Sequence, residues 1–227
     1  MASPPPIARL LRELVDIPAV LAAPLRGGAR PGRLAQGQPV LVLPGFLAND
    51  AATAVLRRTF ENAGFRAFGW DMGFNIHIRS DLLDRLEARL RQVSEAAGGQ
   101  KVAVVGWSLG GLYARALGHQ APGLIDLIVT LGSPFAGSLH ANHAWRLYEA
   151  LNDHKVDRLP IEAEFATKPP VRTIAVWSPL DGVVSPETSR GEPNQSDERI
   201  ELRATHLGLA TSKTAAEAIV RLVAERV

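Results

Sequence analysis

Apolar residues along the chain fall into short dense runs, separated by longer stretches in which they recur every third or fourth position. The runs are PVLVLPGF (39–46), FRAFGWD (65–71), KVAVVGW (101–107), LIDLIVTLGSP (124–134), VRTIAVWS (171–178) and ERIELRA (198–204). Runs of this length bounded by Gly, Pro or polar residues predict strands, and one as continuously apolar as 101–107 predicts a strand covered on both faces. The stretches between them predict helices. NDAATAVLRRTFENAGF follows the first run with Asn49 or Asp50 as N-cap. Ser80 to Ala97 is capped by Ser80 or Asp81 and stopped by Gly98-Gly99, and Leu109 to His119 forms a helix rich in small residues. THLGLATSKTAAEAIVRLVAERV, from Thr205, closes the chain as a helix. Repeated strand and helix alternation predicts an α/β fold with a doubly wound, mostly parallel sheet.

Two segments depart from that rhythm. Ile7, Leu10, Leu11 and Leu14 recur at helical spacing and predict an amphipathic helix over 7–16 that ends before Pro18. A Gly/Arg/Pro-rich connection follows. Residues 1–38 are therefore expected to form an N-terminal helix and linker packed on the core, and 39–227 the main domain. The second departure lies between the strand ending near Ser133 and the one starting at Val171, which is longer than the roughly dozen residues a crossover needs. It predicts a small helical lid insertion over about 135–170, at the carboxyl edge of the sheet where open α/β folds bind ligands. Trp145, Leu147, Tyr148 and Leu151 are its apolar candidates; Lys155, Asp157, Arg158 and Glu162 form a charged tail.

Composition narrows the function classes. With 227 residues, 46% hydrophobic and 21% charged, the chain can bury one substantial core. A net charge of +2 argues against a nucleic-acid binder. The absence of cysteine excludes disulfides, Cys-ligated zinc and thiolate nucleophiles. No stretch reaches the roughly 18 apolar residues of a membrane-spanning helix. Arg9, Arg12, Glu13 and Asp16 interrupt the N-terminal apolar run, so no signal peptide is recognised and a cytoplasmic location is expected. The apolar face of the N-terminal helix is expected to dock on the core, with weak membrane-surface contact as its other use.

The chemistry centres on Gly106-Trp107-Ser108-Leu109-Gly110, where the 101–107 strand meets a helix. A serine on so tight a turn projects its hydroxyl above the sheet, and glycines two residues away let the chain approach itself. Serine needs a base, itself oriented by a carboxylate. Of six histidines only His206 follows the last strand, and Asp181 stands directly beyond the strand before it, in SPLDGVV. Asp153, Asp157, Glu162, Glu164 and Glu187 read as solvated charges. The N–H groups of Phe46, in the loop after the first strand, and of Leu109, at the helix start, are placed to hold an oxyanion. Trp70, Phe74, Phe135 and Trp145 are candidates for binding substrate, since the first three stand at or beyond strand carboxyl ends and Trp145 lies in the insertion. His140, His143 and His154 in the insertion do not by themselves make a metal site.

In these motifs the chain resembles the α/β-hydrolase superfamily, lipase and esterase group: GWSLGG matches the nucleophile elbow, LPGF the oxyanion loop, SPLDGVV the acid turn and ATHLGL the histidine loop. The resemblance runs from about Pro39 to Val227. It implies a serine hydrolase with Ser108, Asp181 and His206 as triad, no metal or organic cofactor, and a small-molecule or lipid-like ester as substrate. Pro44-Gly45 stands where many relatives carry His-Gly, and the sheet is expected to be shortened at its N-terminal edge. An acyltransferase or thioesterase could use the same triad, and a non-catalytic binding protein could use the same fold.

Overall fold

The central apolar runs become strands because their alternate side chains can be buried on opposite faces of one sheet. The computed structural model describes residues 3–161 and 163–227; Glu162 lies outside the described residues. The strands are β1 (Pro39–Leu43), β2 (Arg66–Gly69), β3 (Val102–Trp107), β4 (Ile125–Leu131), β5 (Arg172–Trp177) and β6 (Glu198–Glu201). They pair in the order β2-β1-β3-β4-β5-β6, every neighbouring pair parallel. This is the α/β-hydrolase type of sheet. The helices are α1 (Ile7–Glu13), α2 (Ile17–Ala22), α3 (Ala54–Asn62), α4 (Leu82–Ala96), α5 (Leu109–Gln120), α6 (Trp145–Leu151), α7 (Pro186–Arg190), α8 (His206–Thr211) and α9 (Lys213–Ala224).

The sheet divides the core in two. Val40 and Val42 of β1 and Val105 of β3 face Val55 and Phe60 of α3 and Ile219 and Val220 of α9. Leu41, Leu43, Val102 and Val104 face Leu86 and Leu90 of α4 and Tyr113 and Leu117 of α5. Strand order reverses between β1 and β3, where α/β sheets open a crevice at their carboxyl ends.

Several boundaries differ from the sequence reading. The N-terminal helix does not stop before Pro18. A single 3-10 turn (Leu14–Asp16) joins α1 to α2, and Pro18 sits in the first turn of α2, where its missing N–H costs nothing. Its apolar row is also turned the other way: Ile7, Leu11 and Leu14 are exposed, while Glu13 is buried. Neither Asn49 nor Asp50 caps α3, which starts after Thr53. The Asp50 carboxylate instead accepts the N–H groups of Trp70 and Asp71 at the end of β2, each at 3.0 Å. The closing helix is two helices, broken at Ser212, whose hydroxyl caps the N–H of Ala215 at 3.4 Å.

The long connection between β4 and β5 holds one short helix, α6, and an irregular tail. A buried guanidinium anchors that tail. Arg115 of α5 donates to the carbonyls of Phe165 (2.5 Å), Ala166 (3.3 Å) and Thr167 (3.2 Å), and to that of Gln195 (2.8 Å). It also stacks 4.1 Å from the centre of the Phe135 ring. Burial pushes its pKa down to about 10, so it stays charged at neutral pH. Arg115→Ala leaves the carbonyls of Phe165, Ala166 and Gln195 without a side-chain donor, that of Thr167 keeping only its contact with His119 Nε2 at 3.1 Å, and is expected to lower the unfolding free energy by about 3 kcal/mol. Urea unfolding at constant m-value measures this; a loss below ~1 kcal/mol would mean that water replaces the guanidinium.

Candidate active site

The site begins with a turn that the backbone does not adopt freely. Ser108, between β3 and α5, has φ 54° and ψ −120°, outside the regions open to most non-glycine residues. Its N–H donates to the Leu131 carbonyl at 2.8 Å, which ties the strained residue to the end of β4. The flanking glycines are needed for space. A Cβ at position 106 would stand 2.3 Å from the carbonyl oxygen of Gly110, and one at position 110 would stand 2.4 Å from that of Leu43. The elbow is thus wedged against the end of β1.

The loop after β1 lies beside the serine, since a Cβ on Gly45 would be 3.1 Å from Ser108 Cβ. Among the described residues no backbone acceptor takes the N–H of Phe46 or Leu109. Two residues that the sequence reading missed brace this loop. Asn75, buried, donates its side-chain amide to the Pro44 carbonyl at 2.8 Å and accepts the Tyr113 hydroxyl at 3.1 Å. Its backbone exchanges bonds with Leu47 (2.8 Å) and Ala48 (2.7 Å). Burial, with Tyr148 nearby, pushes the Tyr113 hydroxyl pKa far up and keeps it a neutral donor. A tyrosine among the small residues of LGGLYARALG was the one available signal; nothing in the sequence marks Asn75.

Asp181 and His206 come together as their order along the chain predicts. Asp181, fully buried, places Oδ2 2.7 Å from His206 Nδ1. Its Oδ1 accepts the N–H groups of Val183 (2.9 Å) and Val184 (2.7 Å), so both oxygens are used. His206 opens α8, with Thr205 as N-cap accepting from the Gly208 N–H at 2.9 Å. Trp107 fixes the ring from the elbow side: its indole N–H donates to the His206 carbonyl at 3.0 Å, and the two rings lie 5.6 Å apart. Burial alone would push the imidazole pKa down. The charge and hydrogen bond of Asp181, with the charge of Glu13, outweigh it and raise the pKa overall. Among the described residues Nε2 has no protein partner, and Ser108 Oγ does not bond to it at rest. Catalytic hydrogen bonds commonly tighten only once substrate is bound.

Ser108 borders a cleft of about 510 Å³, counting its open mouth. Its walls are apolar: Phe46 from the β1 loop, Leu109 and Leu112 from α5, and Val183 and Val184 from the acid turn. Leu139, Trp145, Tyr148 and Leu159 close it from the β4–β5 connection. Of the aromatic residues expected to bind substrate, only Trp145 is here. Trp70 is buried in the α4 core with its indole N–H on the Gly73 carbonyl (2.9 Å). Phe74 is 63% exposed, away from the cleft, and Phe135 is buried beneath Arg115. Leu147 and Leu151 of α6 face outward, while Tyr148 faces in.

Comparison with known proteins agrees with the sheet. A family model described as alpha/beta hydrolase fold matches residues 38–168, more than half of the chain, and the chain belongs to that family. A monoacylglycerol lipase from Paleococcus ferrophilus superposes with a TM-score of 0.59 at 15% identity, over 85% of this chain and 97% of the lipase. Est1E from Butyrivibrio proteoclasticus gives 0.57 at 16%, over 85% and 89% of the two chains. The thioesterase domain from the curacin biosynthetic pathway gives 0.55 at 14%, over 81% and 90%. At these identities the likeness shows the fold alone. No curated protein matches the chain.

Proposed function

We propose that the chain is a serine hydrolase that cleaves carboxylic esters through an acyl-enzyme. The observation that carries this reading is the Asp181–His206 pair, 2.7 Å apart, at the same sheet edge as a strained Ser108 that opens on an apolar cleft. His206 Nε2 takes the serine proton as Oγ attacks the ester carbonyl. The N–H groups of Phe46 and Leu109 hold the oxyanion, and the imidazolium, steadied by Asp181, protonates the leaving alcohol. Water activated by the same imidazole then releases the acid. A thioesterase or acyltransferase would form the same acyl-enzyme. Free acid as the main product in the presence of a competing alcohol is the result expected of a hydrolase.

The β4–β5 connection acts in this reading as a lid that lines the acyl pocket with Leu139, Trp145 and Tyr148. Each methylene buried there contributes about 0.8 kcal/mol, or about fourfold in kcat/KM. A series of p-nitrophenyl esters from acetate to decanoate is therefore expected to rise in kcat/KM until the cleft is filled. Trp145→Ala and Leu139→Ala flatten that rise. A profile that is flat in the wild type and unaltered by both substitutions would overturn the acyl-selecting lid, and no turnover of any ester would overturn the activity itself.

A further inference from the structure

The residue that most needs explaining outside the triad is Glu13, a carboxylate 4% exposed at the end of α1. Three backbone N–H groups, none from its own helix, converge on it. Oε1 accepts from Gly182 at 2.8 Å and from His206 at 2.7 Å, and Oε2 accepts from Leu207 at 2.9 Å. One side chain thus joins the residue after Asp181 to the residue that carries the imidazole. Here a distant carboxylate occupies the first two free N–H groups of α8, as a capping side chain would. Asp16 adds a second tie, its carboxylate accepting the Thr205 hydroxyl.

The backbone of α1 also lies directly on the acid turn. A Cβ at Gly182 would stand 2.3 Å from the Arg9 carbonyl oxygen, although Gly182 does not adopt a left-handed conformation. The glycine after Asp181 is therefore required by the helix that crosses it rather than by the turn. This contact also accounts for the outward apolar row of α1. The inward side is taken by a polar group that must be buried to reach its three donors.

We propose that Glu13 is a positioning residue for the Asp181–His206 pair, through which the N-terminal helix sets the spacing of the two loops that hold them. The proposal rests on the triad reading for its catalytic consequence, but its structural content does not. Charge-assisted bonds to three N–H groups fix both loops at once, and the fixed loops hold the imidazole edge toward the elbow. The charges acting on the imidazole are those of Asp181 and Glu13. Nearby, Asp16 lies on the Thr205 side of the loop, and Arg26 donates to the Thr211 carbonyl at the far end of α8 (3.3 Å).

Glu13→Gln keeps the shape but removes the charge and turns an N–H donor toward donors; Glu13→Asp keeps the charge on a shorter stem. Glu13→Gln is expected to lower kcat on a short p-nitrophenyl ester by about 10- to 100-fold, with KM within about twofold. Because the negative charge favours the imidazolium, its loss moves the acid limb of kcat/KM to lower pH. Glu13→Asp leaves the limb in place while kcat falls. The readout independent of turnover is the His206 imidazole titration by ¹⁵N NMR, assigned with His206→Ala; it shifts down in Glu13→Gln and stays near wild type in Glu13→Asp. A folded Glu13→Gln protein with unchanged kcat and unchanged titration overturns the proposal. So does a lower unfolding midpoint with both quantities unaltered, which is the result of a merely structural tie. If Ser108 proves dispensable for ester turnover, the hydrolase reading fails, and the NMR titration still decides the role of Glu13.

Discussion

Ser108→Ala is expected to reduce ester turnover by on the order of 10⁶-fold and to abolish covalent labelling by a fluorophosphonate, while the protein remains folded. The size of the effect follows from the division of labour at the elbow. In the proposed mechanism the hydroxyl is the nucleophile, and without it the imidazole has no proton to take and no acyl-enzyme can form. On that reading what remains is the proposed oxyanion site of the Phe46 and Leu109 N–H groups and the binding of substrate in the cleft. The fold survives because the backbone bond from residue 108 to the Leu131 carbonyl and the close approaches at Gly106 and Gly110 do not involve Oγ. Mass spectrometry of the labelled protein checks the site. A label on another serine, or wild-type turnover in a folded Ser108→Ala protein, would refute the assignment.

Asp181→Asn is expected to lower kcat by about 10⁴-fold, and His206→Ala by at least ~10³-fold. The asparagine effect can be derived from the hydrogen bonds. One oxygen of residue 181 must accept two N–H groups, from Val183 and Val184. An amide satisfies them with its only oxygen, and so turns its NH₂ toward His206 Nδ1. The imidazole then accepts at Nδ1 and carries its proton on Nε2, the nitrogen that must be free to act as base. Glu187, exposed and bonded to the Ser185 hydroxyl, lies outside this network, and Glu187→Gln is expected to stay near wild type. If Glu187→Gln were inactive and Asp181→Asn active, the acid would be misassigned.

The pH profile carries the same information with a definite sign. In the proposed mechanism His206 must be neutral to act as base, and, against burial, the charges of Asp181 and Glu13 leave its pKa raised. Activity is therefore expected to be lost as pH falls through that raised value, and His206→Ala is expected to remove this limb. The stability linkage runs the other way along the pH axis. A raised folded-state pKa stabilises the fold most below the unfolded value, and that contribution is lost as pH rises through the folded one.

What was legible in the sequence was whatever depended on local pattern or chain order. The four central runs could be read as strands because a strand buried on both faces leaves no room for polar alternation, and the edge strands β2 and β6, only half-buried, because they are short and bounded by turn residues. The elbow could be read because a tight strand-to-helix turn needs glycines at fixed offsets, and the pairing of Asp181 with His206 because each follows its strand directly. The N-terminal helix was misjudged for an equally physical reason. Periodicity defines an apolar face but does not say which way it turns, and the direction here is set by Glu13, whose partners lie 169 to 194 positions away. No window of sequence contains that information. Trp70 and Phe135 likewise stand near strand ends, as expected for a pocket, but the Gly73 carbonyl and the Arg115 guanidinium hold them elsewhere.

Leu47, Asp71 and Ser108 are the non-glycine residues with positive φ among those described, at 61°, 60° and 54°, and they stand just beyond β1, β2 and β3. A side chain in that conformation costs roughly 1–2 kcal/mol, more than the roughly 0.5–1 kcal/mol of extra backbone entropy that glycine loses on folding. Selection for stability alone would therefore drift toward glycine at all three positions. A library sorted by heat resistance without an activity readout would enrich Leu47→Gly and Asp71→Gly. It would also enrich Ser108→Gly, which lacks the hydroxyl that the proposed mechanism requires, so on that reading thermostability and turnover are opposing objectives along this one edge of the sheet.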